Sequence, residues 1–159
     1  MNSVEETAGA RAAASMGITF TTVRTERPSS AEESASLQGI EIGQLVRTIV
    51  VRRGADDYVF VLVPGGRQID WPMLRSHLGA RRLSLPDETE AKEATGYERG
   101  AITPFGSTRS WPVVADPSIL AHDVVAIGAG ARGVNLHVAP RELVRALAAD
   151  VAAVTRAAD

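Results

Sequence analysis

LVRTIVVRRGADDYVFVLV, residues 45–63, decides the fold. Two runs rich in β-branched and apolar residues, 45–53 and 58–63, flank GADD, which predicts a hairpin of two long strands. Alternation puts Leu45, Arg47, Ile49 and Val51 on one face of the first strand and Val46, Thr48 and Val50 on the other. Both faces read apolar, so the strand belongs in the middle of a sheet. Arg47 is the exception. A permanent cation in such a strand must reach solvent, pair with an acid brought from elsewhere in the chain, or face a cleft that receives an anion.

On the N-terminal side, Ser3 and Glu6 have capping-box spacing before an Ala-rich segment, predicting a helix over 4–16 that Gly17 stops. ITFTTVR (18–24) reads as a strand, TERPSS (25–30) as a loop, and Ser30 caps a short helix over 31–38 closed by Gly39. On the C-terminal side, PGGRQ (64–68) breaks the second hairpin strand, and Asp70 caps a helix reaching Leu78, with Pro72 in its first turn. RRLSL (81–85) reads as a short strand, and Asp87 with Glu90 opens a helix ending at Gly96. Residues 97–110 have three breakers, Gly100, Pro104 and Gly106, and no apolar period, so they form a loop. WPVVA (111–115), DVVAIGAG (123–130) and GVNLHVA (133–139) read as strands, and Pro140 opens a final helix over 141–154. Hairpins outnumber crossovers. The expected class is mixed α/β of the α+β kind, a mainly antiparallel mixed sheet or partial barrel with flanking helices, in a single domain over 1–159.

With 45% apolar and 23% charged residues in 159, the chain can bury an ordinary core without staples. It has no Cys, hence no thiol nucleophile, thiolate metal site or disulfide. Its three histidines, His77, His122 and His137, lack ligand spacing, so no metal or other cofactor is expected. The first residues lack the basic start and apolar core of an export signal, and no run has the length of a membrane span, which makes cytoplasm the expected compartment, away from membranes. A net charge of −2 argues against wholesale coating of nucleic acid, yet residues 45–110 hold ten basic against eight acidic side chains and are the better place to seek an anionic ligand.

Three segments could carry chemistry. Arg47 offers parallel N–H donors suited to phosphate. GAITPFG (100–106) has glycines that let backbone approach a ligand, although Gly and Pro in a connection ordinarily mean only a turn. GAGARG (128–133) matches GxGxxG only in part and no capped helix follows, so it is not a dinucleotide fingerprint and equally fits a bulge between strands. Ser107 lacks a GxSxG elbow.

Taken in order, SSAEESASLQGIEIGQLVRTIVV (29–51), VFVLVPGGRQIDWPML (59–74), ATGYERGAITPFG (94–106) and IGAGARGVNLHVAPREL (127–143) resemble the YbaK and prolyl-tRNA editing family of aminoacyl-tRNA deacylases. The resemblance covers residues 18–148, and TGYERGAITPFG, similar to the family's TGxxxGxxxPFG, is its most specific part. It implies a mixed sheet with flanking helices and a hydrolase that removes a small amino acid such as Ala or Cys from mischarged tRNA, chiefly proline tRNA, in trans. The partner implied is the 3′ CCA end of aminoacyl-tRNA, with prolyl-tRNA synthetase a second; monomer and homodimer both remain open. The resemblance places Arg47, where relatives carry Lys, in the cleft that receives the terminal nucleotide. It implies no protein nucleophile: water attacks the ester, helped by the substrate's ribose hydroxyl, while backbone at Gly100, Gly128 and Gly130 holds the reacting centre. Phe20, Thr48, Ile102, Thr103, Pro104, Phe105, Gly106, Ala129, Asn135 and His137 are the residues implied to line the substrate site. Departures stand at Arg47, at Gly128, where many relatives have Ser, and at Asn135, often Asp. They open an alternative, a weakly active or inactive binding module of the same fold recognising an aminoacyl-nucleotide or a synthetase. For the acceptor stem, Arg52, Arg53, Arg67, Arg81 and Arg82 are the candidate contacts.

Overall fold

The hairpin forms as its sequence requires: β2 (Leu45–Gly54) and β3 (Asp57–Pro64) pair antiparallel from Val46↔Pro64 to Gly54↔Asp57, and Asp56 takes the left-handed conformation the tight turn demands, with φ 53°. The structure, a computed structural model, describes residues 6–158. Its elements are α1 (Ala8–Ser15), β1 (Phe20–Arg24), α2 (Ala31–Gln38), β2, β3, β4 (Arg67–Ile69), α3 (Trp71–Leu78), α4 (Glu88–Thr95), β5 (Val113–Ala115), β6 (Val125–Gly128), β7 (Val134–Val138), α5 (Pro140–Ala146), β8 (Asp150–Val151) and β9 (Thr155–Ala157).

Seven strands make one open sheet in the order β1-β7-β6-β2-β3-β5-β8, and β4 pairs with β9 separately. The long pairings, β2–β3 and β1–β7, are antiparallel, while β2–β6, β3–β5 and β5–β8 are short parallel junctions. The sheet is thus mixed and does not close into a barrel. β2 lies in its middle, as expected of a strand apolar on both faces. Val46 and Val50 join a core completed by Phe60, Leu62, Phe105, Ile127, Leu136 and Leu143; Val51 joins another with Val59, Val61, Val63, Leu74 and Val154. Each fully buried valine or leucine contributes about 1.5–3 kcal/mol through burial.

Ser30, Asp70 and Asp87 cap their helices, accepting from the backbone N–H of Glu33, Met73 and Glu90. Three expectations need correction. The first helix starts at Ala8 with Thr7, not Ser3, as its cap, its Oγ1 accepting from Ala10 N–H at 3.1 Å; Ser3 lies outside the described residues. RRLSL is not a strand. Only Ser84 bridges to Arg52, because the αL cap at Gly79 and the donorless Pro86 leave too little chain to run alongside β2. The last helix ends at Ala146, not at 154, and Ala148 turns the chain with φ 49° into β8 and β9. Alanine favours helix only weakly in energy, and pairing of β8 with β5 and β9 with β4, together with complete burial of Val154, outweighs it.

Candidate active site

Between β2 and β6 the sheet opens. Their pairing covers Leu45↔Ala126 and Val46↔Ile127 and then stops, and a cleft of about 680 Å³ occupies the gap. That is the size range of small-ligand sites. Alternate residues of a strand direct their N–H and C=O to the same edge. Arg52 uses the edge away from β3 to pair with Ser84, so Thr48 and Val50 turn their backbone groups to that edge too, where no described strand pairs with them. The cleft is therefore walled on one side by backbone.

Arg47 lines this cleft, half-buried. Its Nη2 donates to the carbonyl of Arg67, its Nε is buried without a partner, and no carboxylate of the described residues lies within ion-pair distance. Burial pulls the guanidinium below the usual arginine range, and the charge of Glu32 partly restores it. Arg47 thus has no acid partner in reach among the described residues and borders the cleft. Thr48, next to it, has a buried Oγ1 that also lacks a partner.

Six of the residues singled out from the sequence meet here: Arg47, Thr48, Gly100, Ile102, Gly128 and Asn135 all line the cleft. Gly128 and Asn135 face one another across β6 and β7, and Ile102 brings its carbonyl to 3.6 Å from where a Gly128 Cβ would stand. The other eight lie elsewhere. Thr103, Phe105 and Ala129 are fully buried, with Thr103 Oγ1 accepting from Phe105 N–H at 3.3 Å. Phe20 packs at the edge of the core, and Pro104 does not border the cleft. Gly106 and Gly130, at φ 75° and 95°, sit against Tyr97, whose hydroxyl donates to the Phe105 carbonyl at 2.7 Å. His137 is covered by α2, its Nε2 2.9 Å from Gln38 Oε1, and burial lowers its pKa, which keeps it neutral at pH 7. The causes differ: Thr103, Phe105 and Ala129 are drawn into the core, Gly106 and Gly130 pack on Tyr97, and Phe20 and His137 belong to the β1–β7 pair outside the cleft.

Sequence reasoning missed two walls. Ala31 and Ser34 of α2 close one side, and Arg27, Arg99 and Arg132 stand at the mouth. Ala31 and Ser34 lie within 29–51, Arg99 within TGYERGAITPFG and Arg132 within GAGARG, but their spacing gives no sign that these side chains converge, since they come from three separate loops and one helix. Arg132 ties the glycine-bearing turns together, its Nη2 donating to the Arg99 carbonyl at 2.7 Å and its Nε lying 3.0 Å from where a Gly100 Cβ would be. Of the basic residues expected to contact an acceptor stem, Arg52 pairs with Glu90 at 3.0 Å, Arg53 with Asp57 at 2.9 Å, and Arg67 spans to Thr155 and, at 3.9 Å, Asp116. Among the described residues no three His, Asp or Glu side chains gather as a metal-binding set, and no helix is long and apolar enough to cross a membrane.

Residues 25–146, which include the whole cleft, match the model of the aminoacyl-tRNA editing domain. The chain belongs to that family. Among relatives of this editing domain is a candidate Cys-tRNA(Pro)/Cys-tRNA(Cys) deacylase, EbsC, of Enterococcus faecalis, 26% identical over 114 residues that make up 72% of this chain and 70% of that protein. A proline–tRNA ligase of Thermosipho melanesiensis is 33% identical over 97 residues, 61% of this chain but only 17% of the ligase, so the editing domain corresponds to a small part of that enzyme. A crystal structure of a candidate trans-editing enzyme for prolyl tRNA synthetase superposes with a TM-score of 0.78 at 26% identity, covering 86% of this chain and 87% of the other. The mixed open sheet is thus the YbaK-like fold that the sequence implied.

Proposed function

We propose that this editing domain hydrolyses the ester between a small amino acid and the terminal adenosine of tRNA, acting in trans on proline tRNA charged with Ala or Cys. One observation carries the reading: Arg47, a cation with no carboxylate of the described residues in reach, lines a cleft whose other walls are the unpaired backbone edge of β2 and the two turns at Gly100–Ile102 and Gly128. A cation beside free backbone donors suits a nucleotide phosphate and a developing oxyanion in one site. Related proteins carry names that point to the same ester, EbsC for Cys-tRNA and the ligase for proline tRNA.

In this reading Arg47 holds the terminal phosphate and ribose, and the Thr48 N–H on the unpaired edge of β2 faces the ester. Water attacks the carbonyl carbon, the C–O bond to ribose breaks, and the ribose oxygen leaves with the proton, the neighbouring ribose hydroxyl orienting the water. Positioning and preorganised donors supply the rate, several kcal/mol of barrier, without an acid–base dyad. Gly128 keeps the space beside Ile102 open, and volume selects against larger amino acids, with each methylene worth about 1–3 kcal/mol.

The test is deacylation of Ala, Cys and Ser esters on proline tRNA and on two other tRNAs, with and without the purified protein. Accelerated release of at least one small amino acid is expected. If every ester stays intact while an aminoacyl-adenosine analogue binds tightly, the protein is the binding module instead.

A further inference from the structure

A second hollow of about 580 Å³ adjoins the cleft, and the two share Arg27, Ala131 and Arg132 along their common rim. Arg27 and Arg132 are exposed, and neither has a carboxylate of the described residues within ion-pair distance. Of the acids nearby, Glu98 pairs with Lys92 at 3.5 Å, Glu88 with Arg99 at 3.3 Å, and Asp87 caps α4, while Glu26 and Glu32 make no ion pair with either arginine. The shared rim thus carries two guanidiniums without an ion-pair partner among the described residues, in a chain that as a whole is acidic. Both arginines are also constrained, one through its side chain and the other through its backbone. Arg132 is anchored by its bond to the Arg99 carbonyl, and Arg27 precedes Pro28, which holds it to extended conformations.

We infer that Arg27 and Arg132 form a second anion subsite, which holds the next phosphodiester along a single-stranded RNA 3′ tail, beyond the phosphate that faces Arg47. This rests on the proposed function for the direction of the tail, with its terminal nucleotide in the cleft. The Arg52 and Arg53 side of the hairpin, neutralised by Glu90 and Asp57, does not offer an equivalent site. The subsite gives the protein a preference for a polynucleotide over a lone aminoacyl-nucleoside, through charge and not through base identity.

Binding of a fluorescent oligoribonucleotide ending in CCA, measured by anisotropy across a salt series, reads the subsite without turnover. Arg27→Ala should weaken binding at least fivefold and reduce the slope of log affinity against log salt by about 0.7, one single-strand phosphate contact. The double variant Arg27→Ala/Arg132→Ala should lose more, and Arg141→Ala on α5, an exposed arginine that borders neither hollow, should match wild type. In deacylation, Arg27→Ala should raise KM for aminoacyl-tRNA about tenfold more than for the same amino acid esterified to adenosine. Unchanged affinity and salt slope in both variants, or equal KM changes on the two substrates, would overturn the subsite. Arg27-dependent binding by a protein that cleaves no ester would keep the subsite and remove the deacylase reading; efficient cleavage indifferent to Arg27 would do the reverse.

Discussion

Arg47 donates its Nη2 hydrogen bond to the carbonyl of Arg67, and Arg67 is itself strapped to the C-terminal strand, Nε to Thr155 Oγ1 at 2.7 Å and Nη2 to the Thr155 carbonyl at 3.1 Å. The orientation of the cleft cation thus depends on residues more than a hundred positions downstream.

Arg47→Ala should cut deacylation at least a hundredfold while shifting the urea midpoint little, because the substitution leaves no buried carboxylate unpaired. Arg47→Lys keeps the charge but loses the fork, and is expected to retain activity within about tenfold. A large fall in stability for Arg47→Ala with unchanged turnover would assign the residue to the core.

Asp116 is the anchor of that C-terminal strap. Its carboxylate accepts from the N–H groups of Val154 and Thr155, each at 3.0 Å, and from Ser118. Asp116→Ala strands two buried backbone donors and should cost about 2–5 kcal/mol in urea unfolding. Loss of activity should accompany it, since β9 positions Arg67.

The same carboxylate sets an acid limit. Burial pushes its pKa up, but the hydrogen bonds from Ser118, Val154 and Thr155 outweigh this and hold it below 3.8. Because the folded value is depressed, the stability it contributes is present in full above the unfolded value near 3.8 and disappears as pH falls through the folded one. Unfolding free energies of wild type and Asp116→Asn, compared between pH 6 and pH 2, should converge at the acid end.

Gly128 and Gly130 should behave oppositely. Gly128 has ordinary backbone and its nearest neighbour is Ile102 O at 3.6 Å, so Gly128→Ser should change stability by less than about 1 kcal/mol and add a hydroxyl to the cleft. Gly130, at φ 95° with the Tyr97 ring 2.7 Å from its missing Cβ, has neither freedom, and Gly130→Ala should cost more than about 2 kcal/mol. Thermal midpoints of the two variants decide this, and deacylation by Gly128→Ser reports whether the hydroxyl alters the choice of amino acid.

Tyr97→Phe removes the buried bond to the Phe105 carbonyl and should cost about 1–2 kcal/mol. Since Tyr97 also abuts Gly130, the change loosens both turns at once, and hydrogen exchange should rise at 99–106 and 128–133 together.

Local chemistry made most of the elements legible. Ser30, Asp70 and Asp87 announce helices because a side-chain oxygen meets a backbone N–H three residues on, and residues 45–63 announce a hairpin because two β runs flank a turn. Arg47 stood out because a charge within an apolar strand always needs an outlet, and the resemblance carried by TGYERGAITPFG named the family that residues 25–146 match. What only the tertiary structure decided is which of these residues meet. The Ala-rich tail reads as helix to 154 but leaves the helix after Ala146 and forms β8, because Asp116 and β5, distant in sequence, offer its N–H groups and Val154 better partners. Thr103 and Phe105 sit inside the most telling motif yet fill the core, while Arg27, from a plain loop, and Arg132, from the GAGARG run, share the cleft mouth. A motif records spacing along the chain, whereas a site is made by the sheet opening between β2 and β6 and by loops that converge there from either side.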